Sequence, residues 1–239
     1  MRVVSIVPSL TEAIATTAPE ALVGATDWCT HPEGLNVARV RGTKNPDVHR
    51  IITLAPDLVV ANEEENRPQD LAALRAAGLT VLVTEIRSLP QALTELDRVL
   101  THGCGLRRPQ WLDTAEAAWR DARAEFDTRA VIPVWRKPWM VLGRDTFAGA
   151  LLDHLGVRNV YAAHPERYPR IPLEDLAAKG NADLAVLPDE PYEFTADDGP
   201  EAFPYIPSAL VSGRYLTWYG PSLIEAPHAL RAALREALR

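Results

Sequence analysis

Carboxylates gather in two turns of the sequence, each directly after a short apolar run. Glu63 and Glu64 open the first turn, which ends at Arg67, and Asp189 and Glu190 form the second. A carboxylate and a guanidinium in one turn can hydrogen-bond amide or hydroxyl groups of a ligand. A solvated turn that caps a helix is the plainer interpretation. If both turns face one site, they favour a cationic ligand or a metal.

Aromatic side chains follow predicted strands or precede predicted helices at five positions. They are Trp28, Trp135, Trp139, Trp218 and Tyr219. In open α/β sheets, ligands bind beyond the carboxyl ends of the strands. Flat rings at those positions offer apolar area to a corrin, a porphyrin or an aryl chelate. Packing beneath long loops is the alternative for any single ring.

Cys29 and His31 lie two residues apart on a long segment without regular periodicity. With Glu63 or Glu64 they could supply S, N and O ligands to a transition metal or to chelated iron. The alternative is a reduced cysteine beside a hydrogen-bonded histidine. The same residues could serve a metal-dependent enzyme. The sequence lacks nucleotide-binding, hydrolase-elbow and zinc-protease motifs, so an enzyme is the less favoured hypothesis.

Lysine is rare in this chain, yet two of its three lysines fall in the same segments as these residues. Of 25 basic residues, only Lys44, Lys137 and Lys179 are lysines. A compact ammonium group differs from the planar guanidinium of arginine. An anionic group on the ligand is one explanation for Lys44 and Lys137, and coincidence is the other.

The overall charge argues against a nucleic-acid partner. The formal net charge is −7 and no Lys/Arg-rich run occurs, whereas phosphate binding needs a basic face. No window holds the roughly eighteen apolar residues of a membrane-spanning helix. Residues 1–7 enter an apolar run with no room for a leader, and two distant cysteines fit a reducing compartment. We therefore expect a cytoplasmic protein, or a periplasmic or cell-surface one if a leader had been removed.

Short apolar runs alternate with helical segments, which is typical of parallel sheets covered by helices. The pattern predicts a strand over residues 3–7 and then a helix from Leu10, opened by a capping box of Ser9 and Glu12. Residues 25–45 are predicted to be a loop. Residues 109–126 carry apolar side chains at helical spacing, which predicts one helix about 27 Å long.

The second half of the chain repeats the first. Residues 57–64 are echoed by residues 183–190, and the opening unit is echoed by residues 140–161, with residues 140–142 in place of the first strand. The predicted fold is therefore α/β, with two Rossmann-like lobes joined by a single long helix and a ligand cleft between the lobes. The predicted boundaries are 1–104 for the N-terminal lobe, 105–128 for the connecting helix and 129–239 for the C-terminal lobe.

Several segments resemble a known family in the order in which they occur. In the first half they are residues 4–12, 23–27 and 54–59, and in the second half residues 143–147, 173–176 and 216–222. The chain resembles class III substrate-binding proteins, the receptors for cobalamin, ferric siderophores and haem. A closer resemblance, to a leaderless helical-backbone metal receptor subgroup, is carried by residues 27–32, 42–46, 63–67, 135–139 and 218–220.

The resemblance implies a protein that binds a small molecule, with a bound cobalamin, haem or ferric siderophore as the candidate cofactor. It also places the predicted site on particular residues. Those predicted to bind the ligand are Pro8, Trp28, Lys44, Glu63, Glu64, Asn66, Arg67, Trp135, Trp139, Glu190, Trp218 and Tyr219. Cys29 and His31 are the predicted metal ligands.

The sequence also departs from the family pattern. Asn62 stands where the cobalamin receptors carry an aromatic residue of the cleft. Importer receptors have a surface glutamate on each lobe that docks on an ABC permease, and the matching position in the first half is Pro68, with Asp70 nearby. The leading hypothesis remains a binding protein for a metal chelate or tetrapyrrole-like compound. The alternatives are the metal-dependent enzyme and a partner-binding protein whose cleft is vestigial.

Overall fold

The computed structural model describes residues 1–239, and the chain separates into two compact units. The first unit contains residues Met1–Ile86, Pro90–Thr114 and Tyr219–Pro221, and the second contains Arg87–Leu89, Ala115–Trp218 and Ser222–Arg239. No helix is both long enough and apolar enough to cross a bilayer. The lobe boundaries derived from the sequence stay a prediction.

The first unit is built on a five-stranded parallel sheet in the order β3-β2-β1-β6-β7. The strands of this unit are β1 (Val3–Ser5), β2 (Leu22–Ala25), β3 (Ala38–Arg39), β4 (Arg41–Gly42), β5 (Asn45–Pro46), β6 (Leu58–Asn62) and β7 (Val81–Thr84). Its helices are α1 (Pro8–Thr17), α2 (Val48–Thr53), α3 (Pro68–Ala76) and α4 (Leu89–Asp97), the last continued by a π-helical segment, Arg98–Gly103. Strands β4 and β5 form a separate antiparallel hairpin.

The central strands of this sheet are apolar because both of their faces are covered. Val4 of β1 and Val59 of β6 are fully buried, and they pack in one core cluster with Ile6, Ile51 and Leu74. Strands buried on both faces read as continuous apolar runs. Such runs are the reason why the sequence located β1 and β6 correctly.

The predicted capping box at the start of α1 is wrong. The helix begins at Pro8, its N-cap is Val7, and no side chain caps it. Proline suits the first helical position because its missing N–H group would have no partner within the helix. Ser9 and Glu12 are both buried inside the first turns of the helix.

The segment 25–45 is also more ordered than predicted. It contains β3, which adds a fifth strand to the sheet, and the first strand of the β4–β5 hairpin. The strands have only two residues each, which is too short for a hydrophobic period to show in the sequence.

The helix that begins in the first unit and ends in the second, α5 (Gln110–Asp121), is shorter than predicted. Its twelve residues span about 18 Å. The helix ends five residues before Phe126 because the N–H groups of Glu125 and Phe126 donate to Leu155 O, at 3.0 and 3.2 Å. His154 Nε2 lies 2.7 Å from the carbonyl oxygen of Ala122, which gives the helix end a partner.

The second unit is built on a four-stranded parallel sheet in the order β11-β8-β12-β13. The strands of this unit are β8 (Thr128–Val131), β9 (Pro133–Trp135), β10 (Met140–Val141), β11 (Val157–Asn159), β12 (Leu184–Pro188) and β13 (Ser208–Val211). Its helices are α6 (Phe147–His154), α7 (Leu173–Leu176), α8 (Gly213–Thr217) and α9 (Ala226–Ala237). Short 3-10 helices cover Pro19–Ala21 in the first unit and Pro200–Ala202 and Pro221–Ile224 in the later chain.

The two sheets share one topology, since β2-β1-β6-β7 corresponds to β11-β8-β12-β13. The predicted correspondence between residues 57–64 and residues 183–190 therefore matches β6 with β12. The predicted equivalent of β1 was wrong. That position belongs to β8, whereas β10 pairs antiparallel with β9 in a hairpin inserted between β8 and α6. The hairpin was missed because its proline-containing turn has no strand period.

Candidate functional site

In each sheet the strand order reverses at one point, between β1 and β6 in the first and between β8 and β12 in the second. Ligands of open α/β sheets bind beyond the carboxyl ends of the strands at such a point. We call residues 6–9, 26–47 and 63–67 the first face, and residues 132–146 and 189–201 the second face.

Two buried asparagines shape the first face. Asn66 Nδ2 donates to Ile6 O at 3.1 Å and to Thr43 O at 3.0 Å, while its Oδ1 accepts from the Asn62 N–H. Asn62 Nδ2 donates to Thr84 O, and its Oδ1 accepts from the Glu64 N–H. Asn66 is 2% exposed and all its donors are used. The geometry therefore supports a positioning role for Asn66 and does not support its predicted contact with a ligand.

Trp28 is the most exposed tryptophan, at 66% of its surface. It follows β2 and lies over the β4–β5 hairpin, where a Cβ added to Gly42 would come within 3.2 Å of the indole nitrogen. A large ring left in water at the carboxyl end of a sheet is available to a partner. The turn of the hairpin carries Lys44, whose ammonium group donates to Glu64 O.

The acidic turn 63–65 is held close to the sheet. Glu63 is exposed, while Glu64 and Glu65 are half-buried. The N–H groups of Glu64 and Glu65 lie 2.9 and 3.3 Å from Asn62 Oδ1. Burial raises the pKa of Glu65, and nearby Lys44 partly opposes this rise. The turn thus places carboxylates at the end of β6, next to the reversal point.

Other predicted residues of the first unit have structural partners. Arg67 Nε donates to Asp70 Oδ2 at 2.8 Å. This ion pair also occupies the carboxylate nearest to Pro68, the position that matches the docking glutamate of importer receptors. Pro8 is half-buried at the start of α1. Tyr219 is buried. Its neighbour Gly220 lies against α1, since a Cβ added to Gly220 would be 3.0 Å from the carbonyl oxygen of Ser9.

The predicted metal pair does not form a metal centre in this structure. Cys29 is fully buried, and its sulfur lies 3.0 Å from Thr11 Oγ1 and 3.1 Å from Thr26 Oγ1. Burial raises the pKa of the thiol, which disfavours the thiolate that binds metals. His31 Nδ1 lies 3.1 Å from Thr30 Oγ1. No group of three or more His, Cys, Asp or Glu side chains has the geometry to hold a metal ion. The enzyme alternative therefore has no support.

The second face is organised around Arg136, on the turn of the β9–β10 hairpin. Its guanidinium pairs with Asp198 Oδ1 and, at 2.6 Å, with Glu201 Oε1. It also lies 5.2 Å from the centre of the Trp139 ring, within the range of a cation–π contact. The second oxygen of Asp198 accepts a 2.6 Å hydrogen bond from the Tyr192 hydroxyl. These contacts hold the hairpin against the segment that follows β12.

The tryptophans of the hairpin differ in their surroundings. Trp135 is 42% exposed and packs edge-on against Tyr192, with ring centres 5.8 Å apart. Trp139 is half-buried, stacked on Phe194 at 5.9 Å and edge-on to Phe203 at 5.7 Å. Trp135 can therefore offer a face to a ligand, while Trp139 serves mainly as part of the core cluster.

Trp218 and Glu190 are brought together by the fold. Trp218 is 6% exposed, and its indole N–H donates to Glu190 Oε2 at 2.8 Å. Asp189 Oδ1 accepts from the Gly213 N–H at 2.5 Å. The acidic turn after β12 is thereby fixed to the start of α8. Trp218 supports that turn and has little surface of its own to offer.

Sequence reasoning missed the roles of Arg136, Tyr192 and Asp198. Arg136 lies between two tryptophans in the segment 135–139, and a cation flanked by rings is a usable signal for cation–π packing. Asp198 is 62 residues away in the chain. Nothing local in the sequence connects the two.

The chain belongs to the periplasmic binding protein family, whose model matches residues 3–190. The comparisons with solved structures confirm the predicted fold class, that of class III periplasmic binding proteins.

Individual relatives are distant in sequence. The vitamin B12-binding protein of Vibrio cholerae is 24% identical over 188 residues, covering 74% of this chain and 67% of the relative. An uncharacterized ABC transporter substrate-binding lipoprotein of Bacillus subtilis, YvrC, is 26% identical over 174 residues, covering 67% of this chain and 55% of the relative. The apo periplasmic heme-binding protein RhuT from Roseiflexus sp. RS-1 has a TM-score of 0.81 at 22% identity, over 100% of this chain and 99% of that chain. At this identity the structural likeness shows the fold alone.

Proposed function

We propose that this chain binds a metal chelate or tetrapyrrole-like compound, of the cobalamin, haem or ferric siderophore class, through the loops at the carboxyl ends of its sheets. Relatives named for vitamin B12 and for haem support this class of ligand. The reversal points of both sheets support the position.

The exposure of Trp28 is the observation that carries the proposal. No aromatic partner covers its ring, and two-thirds of its surface is in water. Covering one face of an indole buries on the order of 100 Å² of apolar surface, which contributes about 2.5 kcal/mol at ~25 cal/mol/Å². A flat ligand would gain this energy without rearranging the core.

The second face supplies a wall that is already ordered. Trp135 packs on Tyr192, the Tyr192 hydroxyl donates to Asp198, and Asp198 is paired with Arg136. Side chains that are fixed before binding lose little conformational freedom when a ligand arrives. The hypothesis that both faces bind one ligand stays a prediction, as do the ligand contacts of Lys44, Glu63, Glu64, Arg67 and Tyr219.

The permease partner is a further proposal that rests on the relatives alone. The name of the Bacillus subtilis relative places it in an ABC transporter. In this chain Asp70 is engaged by Arg67, so docking of the first unit would require other carboxylates. Localisation in the periplasm or at the cell surface follows from the same proposal.

A titration tests the proposed function. Purified protein is titrated with cyanocobalamin, hemin and ferrioxamine B, and the unfolding temperature and visible absorbance are recorded. A ligand at 100 times its Kd stabilises the folded state by about 2.7 kcal/mol, which is readily measured. Free Co²⁺ and Fe³⁺ are the controls. Selective stabilisation by one chelate is expected, and no shift with any chelate would contradict the proposal.

A further inference from the structure

The cations of the two faces are almost all engaged by acceptors of the protein itself. Those on the first face are Arg39, Arg41, Lys44 and Arg67, and those on the second face are Arg136, Lys137 and Arg144. Only Lys137 has no acceptor within hydrogen-bond or ion-pair distance. Arg39, Lys44, Arg67 and Arg136 are thus held by close contacts before a ligand arrives, whereas the ion pairs of Arg41 and Arg144 are long, at 3.8 and 3.6 Å, and exposed to solvent.

On the first face the engagement is mostly with backbone carbonyls. Arg39 donates to the carbonyl oxygens of Thr26, Cys29 and Leu35, at 2.9, 3.0 and 3.1 Å. Lys44 donates to Glu64 O, and Arg67 is paired with Asp70. These contacts hold loops in place. Moving any of these cations onto a ligand would leave a carbonyl or carboxylate without its partner.

On the second face one arginine serves two carboxylates. Arg136 pairs with both Asp198 and Glu201, so this cluster carries a net negative charge. Residues 189–201 contain six carboxylate side chains and no lysine or arginine. The carboxyl end of β12 is thus bordered by negative charge.

We infer that the two faces select against anionic chelates, so that the ligand is a neutral or cationic metal chelate. This inference rests on the proposed function and narrows its ligand class. An anionic group brought onto either face loses hydration and meets carboxylates in place of a free guanidinium. The same macrocycle without its anionic groups has no charge to desolvate and is not repelled by these carboxylates.

Matched ligand pairs test the inference. Hemin, with two propionates, is compared with hemin dimethyl ester, and cyanocobalamin is compared with the derivative in which one propionamide is hydrolysed to a carboxylate. In whichever pair binds, the uncharged member is expected to bind roughly tenfold or more tightly, with a smaller difference at high salt. Equal or tighter binding of the anionic member overturns the inference while leaving the proposed function intact. Binding by none of these four ligands, together with no binding of ferrioxamine B in the titration above, overturns the proposed function and the inference with it.

Two protein variants sharpen this test. Asp198→Asn combined with Glu201→Gln releases Arg136, and the preference for the uncharged ligand is expected to fall by about tenfold. Lys137→Gln is expected to leave the preference unchanged. If Lys137→Gln selectively weakens the anionic member, Lys137 serves as a counter-charge and the inference is wrong. Unfolding temperatures establish that each variant is folded. If the double variant does not fold, the comparison of the ligand pairs on wild type still tests the inference.

Discussion

The two faces have the same topology but are built in different ways. At the first face, β1 leads directly into α1, and asparagine side chains hydrogen-bond the surrounding loops to the sheet. At the second, a hairpin is inserted between β8 and α6 and is held by Arg136 and by aromatic rings. Trp28 is largely in water, whereas Trp139 packs on Phe194.

This difference separates two uses of a tryptophan at the end of a sheet. Where polar side chains order the loops, as Asn66 does, an aromatic ring can remain uncovered. Where the loop is ordered by rings, the rings become part of the core. Substitutions at the second face should therefore change stability, and substitution of Trp28 should change ligand affinity.

The largest loss of stability is expected for Trp139→Ala. The substitution removes the stack on Phe194, the edge contact with Phe203 and the surface beneath Arg136. The free energy of unfolding should fall by about 3 kcal/mol, measured by denaturant titration. Trp139→Phe should recover about half of the loss. A loss no larger than that of Trp28→Ala would contradict the distinction between the faces.

A smaller loss is expected for Asn66→Ala at the first face. The carbonyl oxygens of Ile6 and Thr43 lose their donor, and the N–H of Asn62 loses its acceptor. The expected cost is about 2 kcal/mol in the free energy of unfolding. Asn36→Ala, on the exposed part of the loop after β2, is the matched control and should change little. Equal effects of the two variants would show that Asn66 does not order this face.

The sequence was sufficient for the fold class, but it missed the β9–β10 hairpin and the length of α5, and it defined the site only in part. Strands such as β1 were predicted because burial of both faces leaves a continuous apolar run in the sequence. The early end of α5 depends on Leu155 O, which is distant in the chain. Trp28 was predicted as a site residue from residue type and position, and its exposure is compatible with that prediction. The burial of Trp218 and the positioning role of Asn66 could not be predicted from the sequence, because both depend on tertiary contacts.

A modest pH-dependent effect is expected at Glu65. Burial raises the pKa of its carboxyl in the folded state, so its contribution to stability is present below the unfolded pKa and is lost as pH rises through the folded pKa. Glu65→Gln should therefore raise the unfolding temperature at pH 7.5, and the gain should shrink as pH falls to about 4. Glu63→Gln, on the exposed neighbour, is the control. A gain that does not vary with pH would refute this assignment.

The two thiols should be unreactive in the folded protein. Burial raises the pKa of Cys29, and it raises that of Cys104 to about 11, so little thiolate exists at pH 8. A disulfide reagent should modify neither thiol until guanidinium unfolds the chain. Rapid modification of Cys29 in the native state would restore the enzyme hypothesis, which rests on that residue.

The central claim is that Trp28 serves ligand binding and contributes little to the stability of the fold. The most direct test is to titrate wild type and Trp28→Ala with the chelate that binds wild type most tightly. The variant should unfold within about 0.5 kcal/mol of wild type, as surface substitutions do. Its affinity should fall by roughly 10- to 100-fold, in line with the apolar area lost. Unchanged affinity, or a loss of affinity that follows a loss of stability, would contradict the claim.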